Sequence, residues 1–292
     1  MLDMKKLMGY EGKNVVITGS ASGMSKAATE LLIDLGANVY AIDLNEVTLP
    51  VKQSFRANLA NKEEIDAVLE QLPETVDVLF LCHGIATKPG AELLVQKIDF
   101  LSQKYMAEQL LPRISDNGSV AFISSMGGYG FEAKFSLIQE LLNAATWEDA
   151  IAWYESHSEM YDTQVVGRSM DYGFAKQCLN AYVVAKCHAP EYISRKIRLN
   201  TICPGDTITG LTNDFATTAA GGGSVEEGRQ IIQRIFLDSW GGRSATAEEM
   251  GYPLVVIGSD ICSYMSGQNL YLDYGAATAW TRDALLGQRR GL

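Results

Sequence analysis

The chain opens with three hydrophobic patterns in succession. Asn14-Val15-Val16-Ile17-Thr18 is a short β-branched run bounded by glycine, and it predicts a buried strand. Residues 19–23 form a small-residue turn, after which Ala27, Ala28, Leu31, Leu32 and Leu35 recur at helical spacing up to Gly36. Residues 38–42 predict a second strand, ending at Asp43. Further on, Asn61-Lys62-Glu63-Glu64 has the form of a capping box and opens a helix that runs to about Leu72. A strand is predicted over 76–82, a long helix over 93–114 and a strand over 118–125. A helix over 172–188, a strand over 197–203 stopped by Pro204-Gly205, and a last strand at 270–272 follow. The strands are apolar throughout, as strands buried on both faces are. Their alternation with helices predicts an α/β fold: a Rossmann-type, doubly wound parallel sheet with helices on both faces, in one domain over residues 1–292. Gly221-Gly222-Gly223, among Thr217, Thr218, Ala219 and Ala220, reads as a mobile loop rather than a domain boundary.

Composition narrows the partners. The 292 residues are 47% hydrophobic, enough for a large core. Lys plus Arg total 24 and Asp plus Glu 35, giving a net charge of −11. That balance argues against nucleic acid or an anionic membrane as partner. It leaves room for one phosphate-bearing ligand held by backbone donors. No apolar run reaches the ~18 residues of a membrane span. Residues 1–13 mix Asp3, Lys5, Lys6 and Glu11 with apolar positions, unlike a signal peptide. Cys82, Cys178, Cys187, Cys203 and Cys262 are scattered and read as reduced, buried thiols, so a cytoplasmic location is expected. His83, His157 and His188 lack ligand spacing, so no metal is expected, and His83 reads as a hydrogen-bonded core histidine.

Candidate chemistry begins at Thr18-Gly19-Ser20-Ala21-Ser22-Gly23-Met24-Ser25, between the first strand and its helix. A dinucleotide needs close backbone approach and the donors of a helix N-terminus, which Gly19 and Gly23 would permit. A plain turn also needs small residues, and the placement favours the dinucleotide. Asp43 closes the second strand, where an acid can accept both adenosine ribose hydroxyls and repel a 2′-phosphate. The alternative is a solvated loop acid. No Lys or Arg lies between Leu35 and Pro50, so NAD is expected over NADP.

Taken together, these motifs resemble the short-chain dehydrogenase/reductase family over nearly the whole chain. The family's Thr-Gly-x-x-x-Gly-x-Gly appears at residues 18–25, with Ser25 for the third glycine, and its Tyr-x-x-x-Lys is Tyr172-Gly173-Phe174-Ala175-Lys176. Ser125 matches the serine before it, Asn200-Thr201-Ile202-Cys203-Pro204-Gly205 the Asn-x-x-x-Pro-Gly turn, and Thr209 the threonine beside the nicotinamide. Residues 266–273 match the last-strand signature. The resemblance implies Ser125, Tyr172, Lys176 and Asp99 as catalytic. It implies Gly19, Ser22, Gly23, Met24, Asp43, Asn58, Leu59, Gly84, Tyr172, Lys176, Pro204, Gly205, Thr207 and Thr209 as cofactor-binding. It also implies a homodimer or homotetramer.

Three departures stand out. The family's Asn-Asn-Ala-Gly is Leu81-Cys82-His83-Gly84, which bears on fold stability more than on chemistry. Its helix-kinking asparagine falls on Asp99, which when ionised accepts but cannot donate, so the kink and its water are open to change. Ser125 and Tyr172 are 47 positions apart (172 − 125), far beyond the family's short gap, so residues 129–169 read as an insertion. Such an insertion resembles the bacterial 3α-hydroxysteroid dehydrogenase/carbonyl reductase subgroup. Its apolar and acidic residues follow an amphipathic helical pattern, read as a wall of an apolar pocket or as a subunit contact or satellite core. Residues 207–240 read as a mobile substrate loop.

Tyr172 and Lys176 share one helix face, so the ammonium is expected to favour the phenolate, with Ser125 orienting the substrate oxygen. The expected activity is NAD(H)-dependent interconversion of a bulky, apolar secondary alcohol and its ketone, with a hydroxysteroid or bile-acid-like substrate favoured. Aryl or terpene alcohols on the same scaffold, and a catalytically silent NAD-binding protein, are the alternatives.

Overall fold

The computed structural model describes residues 3–87, 90–161, 172–234 and 242–287. Seven parallel strands form one sheet in the order β3-β2-β1-β4-β5-β6-β7. These are β1 Asn14–Thr18, β2 Asn38–Asp43, β3 Gln53–Arg56, β4 Val76–Leu81, β5 Ile114–Ile123, β6 Arg198–Pro204 and β7 Asn269–Leu272. The order reverses after β1, so the chain winds outward on one side to β3 and on the other to β7. That reversal opens a crevice at the carboxyl ends of β1 and β4, where open α/β sheets bind ligands.

The helices are α1 Met4–Met8, α2 Gly23–Asp34, α3 Lys62–Leu69, α4 Glu92–Gln96, α5 Ser102–Leu110, α6 Phe135–Leu142 and α7 Trp147–Ser156. After these come α8 Tyr172–Lys186, α9 Pro190–Ile193, α10 Thr212–Ala219, α11 Val225–Ile232, α12 Ala247–Gly258 and α13 Ala276–Leu285. One core packs α3, α5 and α8 on the sheet through Ile65, Met106, Leu110 and Leu179. The other packs α2 and α12 on the opposite face through Leu32, Met250 and Leu254. A third glycine would let the first helix lie close to its neighbours, and Ser25 removes that option. The close approach moves to α12: a Cβ on Gly251 would stand 2.8 Å from the Ala28 nitrogen and 3.1 Å from the Ala27 Cβ.

Several expectations need correction. Asn61 caps α3 by accepting from Glu63 and Glu64 N–H, but Glu64 reaches back to the Asn58 N–H, so the reciprocal half of the box is absent. The helix predicted over 93–114 is α4, a π-helical turn at Lys97–Leu101, and α5. Ser102 breaks the regular ladder there by turning its hydroxyl onto the Ile98 carbonyl. The strand predicted over 118–125 is β5, which starts four residues earlier, at Ile114, and stops before Ser124. β3 and α1 were not predicted, because β3 buries only Phe55 and α1 only Met8. The segment expected as a mobile loop contains α10 and α11, and its base is fixed by a bridge between Thr207 and Ala245. Residues 235–240 of that loop and 162–169 of the insertion lie outside the described residues.

The insertion's described part packs as a satellite core. Ile138, Leu141, Trp147, Ala150 and Tyr154 are buried and continuous with the core under α5 and α8. Trp147 meets the Tyr105 ring edge-on at 5.7 Å, and Trp153 stacks on Phe174 at 6.4 Å. Trp147→Ala should therefore lower the unfolding free energy by about 3–5 kcal/mol and leave KM for a bulky alcohol unchanged. Urea unfolding alongside steady-state kinetics checks this, and a raised KM with unaltered stability would restore the pocket-wall reading.

Candidate active site

The glycine turn is shaped to admit an anion. Gly19 and Gly23 have φ of 75° and 60°, the left-handed region that favours glycine. A Cβ on Gly19 would lie 3.0 Å from the His83 Cα, and one on Gly23 would lie 3.5 Å from Thr209. Ser22 stands at the N-cap of α2 without a side-chain capping bond, so that side chain leaves the first helical N–H groups available. Asp43 accepts from Ala21 N–H at 2.9 Å and from Asn45 N–H at 2.8 Å. The carboxylate thus clamps the turn to the end of β2 and keeps spare lone pairs for a ribose. These residues fit a dinucleotide. Asn58 is exposed, with its side-chain oxygen accepting from Ala60 N–H. The Leu59 side chain is in the core, so only its backbone is left to face a cofactor.

β3 adds a residue that the sequence reading missed. Its register sets Arg56 against Asp43, and the Arg56 Nε donates to the Leu44 carbonyl at 2.9 Å. A guanidinium therefore stands beside the acid that was expected to have no basic neighbour. The signal was hidden in an exposed edge strand.

Around the carboxyl ends of β4, β5 and β6 lies a cavity of about 370 Å³. Met24, Gly84, Asp99, Ser125, Tyr172 and Lys176 line it, as do Pro204, Gly205, Thr207 and Thr209. Gly19, Ser22, Gly23, Asp43, Asn58 and Leu59 lie outside this lining. Met126, Leu211, Phe215 and Ile232 supply apolar walls that were not singled out individually, though the last three fall in the expected substrate segment.

Within the cavity, the Lys176 Nζ lies 5.2 Å from the Tyr172 ring centre, 3.1 Å from the Asp99 Oδ1 and 3.3 Å from the Ile123 carbonyl. Tyr172 lines the cavity beside Ser125 and packs edge-on against Phe215 at 5.1 Å. Burial pushes the Tyr172 phenol above its ordinary value. The Lys176 ammonium and the Ser125 hydroxyl oppose that rise, and Asp99 adds to it. The ammonium does favour the phenolate, and desolvation outweighs it. Lys176 is itself held up from its ordinary value: burial pulls it down, but Asp99 and Tyr172 outweigh that.

Ser124 and Ser125 separate cleanly. The Ser124 hydroxyl is buried and donates to the Lys176 carbonyl at 3.1 Å, anchoring α8. Ser125 is partly exposed, and its Oγ accepts from Gly127 N–H at 3.0 Å. Asn200 is also structural. Its amide donates to the Met265 carbonyl and its oxygen accepts from Gln268 N–H, joining β6 to the approach of β7.

His83 ties separate segments together through its ring. Nδ1 lies 2.7 Å from Thr18 Oγ1 and Nε2 lies 2.7 Å from Ser102 Oγ, which joins the glycine turn, β4 and the π-turn. Burial pushes its pKa down to about 3.

A family profile described as enoyl-(acyl carrier protein) reductase matches residues 156–277. Coniferyl-alcohol dehydrogenase of Pseudomonas sp. (strain HR199) is 29% identical over 276 residues, covering 94% of this chain and 100% of that one. These matches, together with the fold and the site geometry, support the reading of the chain as an oxidoreductase similar to the short-chain dehydrogenase/reductase family. The 3-alpha-hydroxysteroid dehydrogenase/carbonyl reductase of Comamonas testosteroni is 25% identical over 263 residues, covering 89% of this chain and 95% of its own. The 3-alpha-hydroxysteroid dehydrogenase of Pseudomonas sp. B-0831, solved with NADH, shares the fold. Its TM-score is 0.70 at 21% identity, over 94% of this chain and 98% of that one. Among the described residues of this chain, no helix is long and apolar enough to cross a membrane.

The histidine gives a testable sign. The folded state holds His83 neutral down to about pH 3, whereas the unfolded chain takes a proton below its ordinary 6.5. Stability is therefore fully present above that value and is lost as pH falls from there toward the folded pKa. Thermal melts between these limits should fall less steeply for His83→Gln than for the parent. Identical slopes would mean that His83 is not held neutral.

Proposed function

We propose that this oxidoreductase interconverts an alcohol on an apolar ring body and its carbonyl product with NAD(H). The observation that carries the reading is that Ser125, Tyr172 and Lys176 line one cavity, with the Lys176 ammonium 5.2 Å from the Tyr172 ring centre. Ser125 orients the substrate oxygen, Tyr172 takes or returns its proton, and Lys176 offsets the cost of the buried phenolate. NAD, when bound, supplies the hydride acceptor. Gly19, Gly23 and the start of α2 would hold its pyrophosphate, Asp43 its adenosine ribose, and Thr209 would stand by the nicotinamide. Retention of Ser125, Tyr172 and Lys176 in one cavity weighs against a silent NAD-binding protein.

The cavity of about 370 Å³ must take the nicotinamide ring as well as the substrate. Its walls Met126, Leu211, Phe215 and Ile232 suit a flat aromatic alcohol, and one relative is named for coniferyl alcohol. This reverses the preference drawn from sequence. A hydroxysteroid remains the second reading because a hollow of about 500 Å³ shares Met126, Gly205 and Asp206 with the cavity. A four-ring body would need that extra room.

An absorbance screen of aryl, terpene and hydroxysteroid alcohols with NAD and NADP tests the reading. Aryl alcohols should turn over best, and NAD should exceed NADP by ~10² in kcat/KM, about 2.7 kcal/mol. Asp43→Ala should narrow that ratio. Equal use of both cofactors by the parent would instead assign Arg56 to the 2′-phosphate. Tyr172→Phe should cut kcat by ~10²–10⁴ while NADH affinity holds, and retention of most activity would remove Tyr172 from the chemistry.

A further inference from the structure

Asp99 and Lys176 differ from the other ion pairs of the chain. Their side chains are 0% and 4% exposed, whereas every other ion pair among the described residues has a partner at least 31% exposed. The Asp99 carboxylate receives only donors: Lys176 Nζ and Ile85 N–H on Oδ1, and Ile85 N–H again on Oδ2 at 3.3 Å. Among the described residues no acceptor faces it to take a carboxyl proton; burial pushes its pKa up, and Lys176 and the Ile85 N–H favour the ionised form. A Cβ on Gly84 would run into Oδ1, so the glycine is what admits the carboxylate at this depth.

Resting on the reading of Tyr172 as the proton-transfer group, we propose a role for Asp99. It is a positioning residue that holds the Lys176 ammonium by direct contact and sets, as its counter-charge, how strongly the lysine promotes the Tyr172 phenolate. In alcohol oxidation the substrate O–H proton passes to the Tyr172 oxygen. The carbinol C–H leaves as hydride to NAD, giving the carbonyl compound, NADH and a neutral Tyr172. The readiness of that oxygen depends on the net charge beside it. With Asp99 the neighbouring pair sums to zero, and with an amide it would sum to +1.

Among the described residues, the other titratable groups facing this pair stay neutral between about pH 5 and 10. Burial pushes Cys82 far up, Cys203 up to about 11 and His83 down to about 3. Ser125 is the remaining polar neighbour of Tyr172 and carries no charge. Among the described residues, that leaves Asp99, Lys176 and Tyr172 to shape the response.

The test is Asp99→Asn, with Asp99→Ser as a second variant should the amide disturb folding. The cofactor-free proteins are titrated by ultraviolet difference absorbance, and the signal that disappears with Tyr172→Phe in each background isolates Tyr172. Its midpoint should fall by about one pH unit or more in both variants. The acid limb of NAD-linked oxidation should move with it, raising kcat/KM about tenfold at a pH below the parent's limb. Unmoved or raised midpoints with a lowered melting temperature would overturn the proposal and leave Asp99 a structural tie. If no alcohol turns over, the functional reading fails, while the titration still decides the role of Asp99.

Discussion

An ammonium almost wholly removed from water must be answered by acceptors, or it will not stay charged. Lys176 is that ammonium, and much of the site follows from answering it. The carboxyl end of β5 turns the Ile123 carbonyl toward it, and the π-turn between α4 and α5 brings Asp99 within 3.1 Å. The loop after β4 contributes Gly84, small enough to let the carboxylate in, and the Ile85 N–H that steadies it. Ser124 then fastens the α8 backbone at Lys176 itself. Four separate segments are located by one buried charge.

The same arrangement makes the chemistry conditional. Burial alone would leave Tyr172 a poor base, because desolvation disfavours its phenolate. The lysine and Ser125 work against that. The carboxylate that keeps the lysine in place also takes back part of its field. The cavity's apolar walls sharpen every one of these terms by excluding water. His83 links this cluster to the cofactor end, since its two ring nitrogens join Thr18 of the glycine turn to Ser102 beside the π-turn.

Much of this was legible in the sequence, for physical reasons. β1, β2 and β4 are mostly apolar, and β6 is buried at every position, because both faces are covered, so they announce themselves. β3 lies at the sheet edge with only Phe55 buried and leaves no pattern, and with it went the neighbour of Asp43, Arg56. The motif spacing flagged Ser125, Tyr172, Lys176 and Asp99, yet nothing in it says that Asp99 and Lys176 touch. That contact comes with a π-turn at Lys97–Leu101, which hydrophobic periodicity does not announce. The insertion's amphipathic pattern announced an apolar face, but which surface covers such a face is a tertiary fact, and here it is the outer side of α5 and α8.

An Asp99 carboxylate and a Lys176 ammonium that are ionised together at 3.1 Å in the buried state must be coupled in energy. A double-mutant cycle in urea unfolding tests this most directly, using Asp99→Asn, Lys176→Met and the two combined. Each single change should strand the other group, so the double variant should be more stable than the sum of the single losses allows. The coupling should be about 2–4 kcal/mol. Losses that add to within about 0.5 kcal/mol would contradict it.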